Sequence, residues 1–459
     1  MTRRPNIVLV AIDTLRADHL GCYGYHKPTS PNIDALAAES VVFDRAFAPG
    51  IPTMPAFTTL LTGLHPYRHG ITAHGSDQRV DERVQPLPQL AKNAGYVSIG
   101  IDNLAVQGNG RGSWFSRGFD YYSGFLFKPF SNQSEQLVER ALGFVSDFRD
   151  KPFLLFVHLW DPHTPYGPPA PYDTLHNQPK NRAGDDAPDL ATVTALSPEY
   201  YEAFLGEMNL KVPDDYAYVV AQYDGEISYV DAQVGRILDH LKASGLWDDT
   251  IVVLMSDHGE CFGEGDVYFD HHGLYDAVTR VALMCRTPGA APARVGAMVS
   301  TEDILPTLME LCGGWDGPAD YALTGRSFAP ALRGESFTGR DVIFGVESTR
   351  QASLCVRTEK WKLIQPIVKD ARGEPLVNIY GQPRNPAPLL YDLENDPAEK
   401  NDVSAARPDV LGTMTGRLAQ WRAQEVARRG GSDPVIENGL SLAYEGFMAR
   451  LRARRLFQN

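Results

Sequence analysis

The hydrophobic pattern of this chain is dominated by three largely apolar runs, at residues 7–12, 153–160 and 251–256. None of them alternates between apolar and polar positions, which is typical of parallel strands buried on both faces of a sheet. Asp13 follows the first run directly, and Asp257 follows the third. Because ligands of open α/β sheets bind at the carboxyl ends of strands, both carboxylates are candidates for a functional site. The alternative for Asp13 is a helix N-cap.

Helical spacing is strongest at residues 216–241, where one face is apolar and carries Ile227, Val230, Val234 and Leu238. We expect the acidic residues of this helix to lie on a solvated face. Further helices are predicted at residues 87–94 and 410–428. Beyond about residue 334 the pattern changes to short or alternating strands, at residues 341–346, 353–357, 361–364 and 389–393.

Two stretches depart from these patterns. Residues 168–215 show no period and are rich in Pro, Asn and Asp, which indicates an insertion over the site that shapes substrate choice. Residues 444–458 alternate apolar residues with arginines. We expect this tail to form a helix that docks on its own domain or on a second subunit of a homo-oligomer.

Residues 49–63 combine turn chemistry with a helix signal. Two prolines and a glycine lie in the four residues before Thr53 and favour a bend. The apolar run at 56–61 can form a helix that Gly63 ends. A bend that leads into a helix presents its side chain to the positive end of the helix dipole. Thr53 is therefore a candidate nucleophile beside an anion site. A proline-rich loop packed under a core helix is the alternative.

Composition narrows the class of partner. The chain has 459 residues, 43% of them hydrophobic, and a net charge of -14. This charge argues against a nucleic-acid partner, and an acidic enzyme acting on anionic esters needs local positive charge, which a metal ion supplies. No apolar stretch is long enough for a signal sequence or a membrane span. The five scattered cysteines favour a reduced, cytoplasmic protein.

Several motifs in order resemble the sulfatase family of the alkaline phosphatase superfamily. The family signature reads Cys-x-Pro-Ser-Arg, then Leu-Leu-Thr-Gly after a short gap; this chain keeps Pro55 and residues 60–63. Thr53 stands in place of the cysteine that becomes formylglycine, and Ala56 and Phe57 replace the serine and the arginine. Residues 257–259, Asp-His-Gly, match the metal-ligand motif that follows a buried strand in the superfamily.

The resemblance implies an α/β fold like that of alkaline phosphatase, with a large mixed sheet flanked by helices. Residues 1–333 would form the catalytic domain. Residues 334–459 would form a smaller C-terminal α+β subdomain with an antiparallel sheet and terminal helices.

The resemblance also implies a site. The metal ligands would be Asp13, Thr53, Asp257 and His258, for one divalent ion (Mn, Zn or Ca), or two ions if a second is held nearby. His163 matches a histidine that contacts the substrate anion in the family. His271 falls where the family has an anion-binding lysine. As neutral imidazole can bind metal, His163 and His271 are candidates for catalysis or for the second ion, with Asp161 or Asp270 completing it. Further substrate-binding candidates are His74, Asn103 and His272.

The change at Thr53 alters the expected reaction. Threonine cannot become formylglycine, because its Cβ carries a methyl group, so no formylglycine is expected. Its hydroxyl can still attack when a divalent ion lowers its pKa. The ester formed on Thr53 lacks the elimination route that discharges sulfate in sulfatases, whereas water can hydrolyse a phosphothreonine. The sequence therefore favours a hydrolase of small phosphodiesters or phosphonate monoesters. The alternatives are a sulfate ester hydrolase and a binding protein without catalysis.

Overall fold

The computed structural model of the chain describes residues 4–74, 78–103, 112–124, 134–176, 216–313, 315, 321–349, 351–378 and 383–440. Most of the expected insertion at 168–215, and the tail at 444–458, lie outside these residues. The strands are β1 Asn6–Ile12, β2 Val41–Phe47, β3 Gly50–Ile51, β4 Val97–Ile101, β5 Tyr121–Ser123, β6 Phe153–Leu159, β7 Thr250–Ser256, β8 Cys261–Phe262, β9 Tyr268–Asp270, β10 Arg280–Val281, β11 Leu283–Arg286, β12 Ala293–Ser300, β13 Ile343–Glu347, β14 Ser353–Arg357, β15 Trp361–Pro366 and β16 Leu389–Asp392.

The α-helices are α1 Pro31–Ala37, α2 Thr53–Thr62, α3 Pro66–His69, α4 Leu87–Asn93, α5 Gly112–Phe115, α6 Ser134–Asp147, α7 Tyr172–Leu175, α8 Tyr216–Ala243, α9 Asp276–Thr279, α10 Ile304–Cys312, α11 Ala329–Leu332, α12 Pro408–Arg428 and α13 Pro434–Asn438. Short 3₁₀ helices occupy Ala17–His19, Gly21–Tyr23, Trp247–Asp249, Glu264–Asp266 and Thr301–Asp303. Among the described residues, no helix combines the length and the apolar character needed to cross a bilayer.

A large mixed sheet forms the centre of the fold, with strand order β10-β2-β11-β7-β1-β6-β4-β5 and β12 beside β2. The strands from β7 to β5 run parallel, and β11 joins them antiparallel. All three apolar runs of the sequence form central strands of this sheet. Their carboxyl ends therefore meet at one edge, where a site was expected.

The unbroken apolar pattern of β1 reflects burial on both faces of the sheet. Val8, Val10 and Ile12 pack into the core that includes α6 and α8. The residues between them, Ile7, Leu9 and Ala11, pack into a second core that includes α2 and α10. Side chains alternate in direction along a strand, so a strand between two layers of helices needs apolar residues at every position.

A second, smaller sheet has the order β16-β15-β14-β13-β3. Its four C-terminal strands are antiparallel, as the short strands beyond residue 334 predicted, and α12 packs on it. The fifth strand, β3, comes from the segment just before Thr53 and pairs in parallel with β13. The small sheet therefore reaches directly to the candidate nucleophile.

The expectation of a solvated acidic face on the long helix is wrong. Asp224, Glu226 and Asp231 of α8 are all buried. Asp224 accepts hydrogen bonds from His19 (2.8 Å) and Lys27 (2.6 Å). Asp231 accepts from backbone amides at the start of α1. Partners distant in sequence offset the cost of burying these carboxylates, and hydrophobic spacing carries no signal for them.

A buried ion cluster links the small sheet to a segment that precedes strand β10 of the large sheet. Lys362 of β15 has no exposed surface, and its Nζ lies 2.7 Å from Asp276 and 2.8 Å from Glu399. Arg357 of β14 also pairs with Asp276, at 2.9 Å. Asp276 opens α9, five residues after His271. The cluster therefore fixes the small sheet against the segment that carries the candidate site.

We expect Lys362→Met to lower the free energy of unfolding by about 3–5 kcal/mol, because it leaves two buried carboxylates short of a counter-charge. Urea unfolding followed by tryptophan fluorescence measures this change. The matched control is Lys360→Met, which breaks an exposed pair with Glu394 and should leave the unfolding midpoint nearly unchanged. Equal effects of the two substitutions would contradict the importance of the cluster.

Candidate active site

Three of the residues expected to bind metal converge at the carboxyl edge of the large sheet. The register places Ile12 of β1 beside Ser256 of β7, so the residues that follow, Asp13 and Asp257, are neighbours. Nε2 of His258 lies 3.8 Å from Oδ1 of Asp13 and 3.4 Å from Oδ2 of Asp257. All three side chains are fully buried.

The unpaired oxygens of this group fit a divalent ion. Oδ1 of Asp257 accepts hydrogen bonds from the backbone N–H groups of Thr14 (3.2 Å) and His258 (2.7 Å). Within the described part of the chain, Oδ2 of Asp257 and Oδ1 of Asp13 have no hydrogen-bond donor, although both are buried. Two such oxygens next to one imidazole nitrogen are a donor set for a divalent cation, which would offset the cost of burying them.

The electrostatics of the group point in the same direction. Burial raises the pKa of Asp257 well above its ordinary value, and the charge of Asp13 adds to the shift. Burial lowers the pKa of His258 to about 3, and the neighbouring His271 adds to that shift. His258 is therefore neutral at physiological pH and keeps a lone pair for a metal. A cation would also restore the charged form of Asp257.

Thr53 lies next to this group. Its Oγ1 is 3.2 Å from Nε2 of His258, and its side chain is buried. Helix α2 begins at Thr53, so this residue occupies the first helical position and not a loop before a helix at residues 56–61. The hydroxyl therefore lies at the positive end of the helix dipole. Gly63 ends the helix in the left-handed conformation, with φ of 62°.

The small sheet fixes the approach to Thr53. In β3, Gly50 and Ile51 pair with Val346 and Glu347, and the amide of Val346 donates to the carbonyl of Pro49 at 3.0 Å. A Cβ at position 50 would lie 2.6 Å from Cγ of Pro66, so only glycine fits there. Backbone pairing thus holds Gly50 and Ile51, three and two residues before the helix, which limits the freedom of the Thr53 hydroxyl.

A buried histidine orients Asp13 from the side away from His258. His158 of β6 lies 3.2 Å from Oδ2 of Asp13 through Nε2, and 2.6 Å from Oδ1 of Asp102 through Nδ1. Burial opposes its charge, but the hydrogen bonds with Asp102 and Asp13 raise the pKa of His158 to about 10. The same interaction keeps the pKa of Asp13 low despite its burial. His158 is thus an imidazolium that aims Asp13 at the candidate metal position.

A second group of histidines and carboxylates lies beside the first. The ring of His271 is 4.6 Å from that of His258 and 5.3 Å from that of His163, measured between centroids. Nδ1 of His271 is 3.6 Å from carboxylate oxygens of both Glu260 and Asp270. The structure therefore brings His163 and His271 to the expected centre, and it adds Glu260, for which the sequence suggested no role.

The sulfatase family model matches residues 5–314, about two thirds of the chain. The chain belongs to the sulfatase family. Its fold is also that of the alkaline phosphatase superfamily, to which this family belongs.

Similar proteins include enzymes for more than one kind of ester. The chain is 27% identical to an N-acetylgalactosamine-6-O-sulfatase of Bacteroides thetaiotaomicron, over 91% of this chain and 93% of that protein. It is 26% identical to the multifunctional alkaline phosphatase superfamily protein PehA of Trinickia caryophylli, over 93% and 97%. The phosphonate monoester hydrolase structure from Agrobacterium radiobacter matches with a TM-score of 0.72 and 25% identity, over 92% and 96%. Sulfatase names predominate among the sequence relatives.

This membership makes the chain an ester hydrolase of a metal-dependent family. The convergence of Asp13, Asp257 and His258, with two carboxylate oxygens unpaired, is consistent with such a family. In this sulfatase-family chain the hydroxyl of Thr53 occupies the position beside them.

Four other residues were site candidates, and their positions in the structure are as follows: His74, Asn103, His272 and Asp161. His74 and Asn103 are buried, and each adjoins residues outside the described ranges, 75–77 and 104–111. His272 directs Nε2 to Asp270 at 3.0 Å. Asp161 accepts hydrogen bonds from the amide and hydroxyl of Ser134 at the start of α6, and the second-metal role considered for it stays a prediction. Substrate contacts of His74, Asn103 and His272 stay predictions.

Sequence reasoning missed His158 and Asp102. Both residues could have been suspected, since His158 interrupts an otherwise apolar strand and Asp102 ends another strand directly. Their pairing depends on β4 and β6 being neighbours in the sheet, with Ile101 beside Val157. Strand order, which the sequence did not specify, was the missing information.

We expect the metal-free protein to become less stable as pH rises from about 6.5 to about 10, through the charge of His158. Its folded pKa is raised above the ordinary 6.5 to about 10, so its contribution is complete below the lower value and is lost on passing the upper one. In the variant His158→Gln, the free energy of unfolding should not show this part of the decrease with pH. Urea unfolding in chelator across this pH range measures it.

The control for this experiment is His240→Gln, since His240 contacts the hydroxyl of Ser146 on the helical layer away from the site. That variant should keep the pH slope of the unchanged protein. Identical slopes for the unchanged protein and His158→Gln would show that His158 is not charged when folded.

Proposed function

We propose that this sulfatase-family chain is a metal-dependent hydrolase of phosphate esters, either phosphodiesters or phosphonate monoesters, that acts through a covalent ester on Thr53. The observation that carries the proposal is the 3.2 Å contact between the Thr53 hydroxyl and His258, at the N-terminus of α2 and beside the candidate metal ligands. Similarity to a phosphonate monoester hydrolase structure and to PehA supports it.

The chemistry of threonine separates phosphate from sulfate substrates. A formylglycine hydrate has two hydroxyls: one oxygen carries the sulfate, and the other loses its proton and becomes the aldehyde oxygen as the sulfate leaves. Thr53 has one hydroxyl and a methyl group on Cβ, so its ester can be discharged only by an attacking water. Metal-assisted hydrolysis of a phosphothreonine is a standard reaction type, which makes phosphoryl transfer the better fit.

The chain's own residues define the two steps. Asp13, Asp257 and His258 would hold the ion, which lowers the pKa of the Thr53 hydroxyl and offsets charge on the substrate. In the first step, Oγ1 of Thr53 gives up its proton and forms a bond to phosphorus, while the bond to the leaving alcohol oxygen breaks and that oxygen takes up a proton. In the second step, water attacks phosphorus and the Thr53 oxygen leaves, taking up a proton. The buried surroundings of the group strengthen each of these interactions.

We propose that His163 accepts a proton at Nε2 and passes it to the leaving oxygen. Its Nδ1 lies 2.6 Å from the carbonyl oxygen of Thr164, which can only accept, so Nδ1 carries the proton. Nε2 is then the atom that exchanges a proton or hydrogen bond with the substrate. The contact of its ring with His271 places it next to the candidate metal group. His74, Asn103 and His272 are proposed to contact the rest of the ester.

A sulfate ester hydrolase is the second candidate, because most of the relatives carry sulfatase names. In that case Thr53 would act on sulfur without the aldehyde route, or a water would attack directly. Neither reaction depends on a covalent ester of Thr53 as strongly as the proposed phosphoryl transfer does.

A substrate panel distinguishes the two functions. The purified protein is loaded separately with Mn²⁺, Zn²⁺ or Ca²⁺ and assayed with p-nitrophenyl phosphate, bis(p-nitrophenyl) phosphate, p-nitrophenyl phenylphosphonate and p-nitrophenyl sulfate. We expect kcat/KM for the diester or the phosphonate to exceed that for the sulfate by more than about tenfold, or about 1.4 kcal/mol in the transition state. A preference for the sulfate with every ion would overturn the proposal.

We expect Thr53→Ala to lower kcat for the best substrate at least about 1,000-fold, because the nucleophile is lost. Thr53→Ser should keep part of the activity, since the hydroxyl persists. Rapid quenching of the unchanged protein followed by peptide mass spectrometry should find a phosphoryl group on Thr53.

The matched control is Thr62→Ala in the same helix, since Thr62 is equally buried but bonds to the carbonyl of Thr58. That variant should retain its kcat, and thermal melting checks that all three variants are folded. Near-normal turnover by Thr53→Ala, with no modified threonine trapped, would favour direct attack by water.

A further inference from the structure

Thr14, the residue after Asp13, has a backbone conformation that its own side chain disfavours. Its φ is 52°, in the left-handed region, and the residue is fully buried. A left-handed φ crowds Cβ against the backbone, and β-branched residues such as threonine rarely adopt it. Such a conformation persists only where surrounding contacts hold it in place. The turn after β1 therefore needs an interaction that fixes Thr14.

The phenol of Tyr223 supplies this interaction. Tyr223 lies on α8, 209 residues after Thr14 in the chain. Its Oη donates a hydrogen bond to the carbonyl oxygen of Thr14 at 2.8 Å. The same Oη accepts a hydrogen bond from the backbone N–H of Arg16, also at 2.8 Å. One hydroxyl thus uses its donor and an acceptor position on the backbone of a single turn.

Tyr223 is itself held in place by aromatic packing. Its side chain has no exposed surface, and its ring meets three other rings edge to face. The distances between ring centroids are 5.2 Å to His19, 5.3 Å to Tyr166 and 4.9 Å to Phe262. Close packing of this kind leaves the ring little freedom to move. The long helix therefore presents a fixed hydrogen-bonding group to the turn.

The conformation of Thr14 decides where its amide points. This amide donates to Oδ1 of Asp257 at 3.2 Å, beside the amide of His258 at 2.7 Å. The two donors orient the carboxylate so that Oδ2, which has no donor among the described residues, faces the candidate cation. A flip of the peptide between residues 13 and 14 would bring φ of Thr14 into the ordinary region. It would also turn the amide away from Asp257.

We propose that Tyr223 is a positioning residue that locks the turn after Asp13 in its left-handed form and so aims the amide of Thr14 at Asp257. The inference rests on the metal ligands of the proposed function and holds whichever ester is cleaved. The competing view is that Tyr223 contributes only packing and two buried hydrogen bonds to stability. The two views differ in whether the residue at position 14 changes the effect of losing the phenol.

A double-mutant cycle between Tyr223 and position 14 separates these views. Glycine adopts a left-handed φ without steric cost, whereas alanine keeps the Cβ that disfavours it. We expect Tyr223→Phe to raise Kd for Mn²⁺ about 10-fold or more, as the loss of groups that orient metal ligands does. In the Thr14→Gly background the same substitution should have a much smaller effect, because the turn keeps its form without the phenol. In the Thr14→Ala background it should keep its full effect.

Two measurements follow the cycle. The full-length protein is treated with chelator and titrated with Mn²⁺, and electron paramagnetic resonance reports the free ion. Urea unfolding in chelator gives the midpoint of each variant, and the lowering of this midpoint by Tyr223→Phe should show the same dependence on position 14. The unfolding cycle needs neither an ester nor a metal, so it tests the lock even if the substrate panel overturns the proposed function.

The matched control is Tyr67→Phe, because Tyr67 is also fully buried but its phenol contacts the carboxylate of Asp433 at 3.2 Å. This variant should keep the Kd of the unchanged protein. An equal effect of Tyr223→Phe in all three backgrounds would overturn the proposal. If Tyr223→Phe alone does not fold by circular dichroism, recovery of folding by Thr14→Gly and not by Thr14→Ala supports the lock. Recovery by both substitutions, or by neither, contradicts it.

Discussion

Two carboxylates, Asp13 and Asp257, are buried side by side at the ends of neighbouring parallel strands. The surrounding groups offset the free-energy cost of burying them. The two carboxylates are close because β1 and β7 are parallel neighbours in register, so the residues that follow them lie at the same edge of the sheet. Like charges in a low-dielectric interior repel strongly. Backbone amides satisfy one oxygen of Asp257 and His158 satisfies one of Asp13, which leaves the other two directed at a common position. A bound cation is the compensation consistent with the sulfatase family.

The same principle extends outward from the metal ligands. His158 is charged because Asp102 and Asp13 hold it on both sides, so a buried row of alternating charge runs across three strands of the large sheet. A helix terminus and β3 place Thr53 against His258, which adjoins Asp13 at the end of this row. Each group in the row is oriented by its hydrogen bond to the next. Because all of them are buried, reorienting one would break hydrogen bonds that solvent does not replace. Such preorganisation is the property that a site for charged transition states requires.

The sequence predicted those parts of the structure that depend on local pattern. Largely apolar runs located β1, β6 and β7, and with them the strand-end positions of Asp13 and Asp257, because burial on both faces favours apolar residues at nearly every position of a strand. The hydrophobic pattern does not indicate which residues a buried polar side chain will contact. Asp231 was assigned to solvent, yet it caps a helix nearly 200 residues earlier in the chain. Glu260 and His158 gained their significance only when strand order and the β8–β9 ribbon showed which side chains face them.

The pairing of β3 with β13 also bears on when the site can form. The family match ends at residue 314, whereas the backbone that pins the residues before Thr53 is at Val346 and Glu347. A chain emerging from a ribosome at ~5–20 residues per second exposes Thr53 roughly 15–60 s before this partner strand. During that interval the large sheet can assemble, but the nucleophile has no fixed approach. The segment before Thr53 therefore gains its partner strand only when about three quarters of the chain has been made.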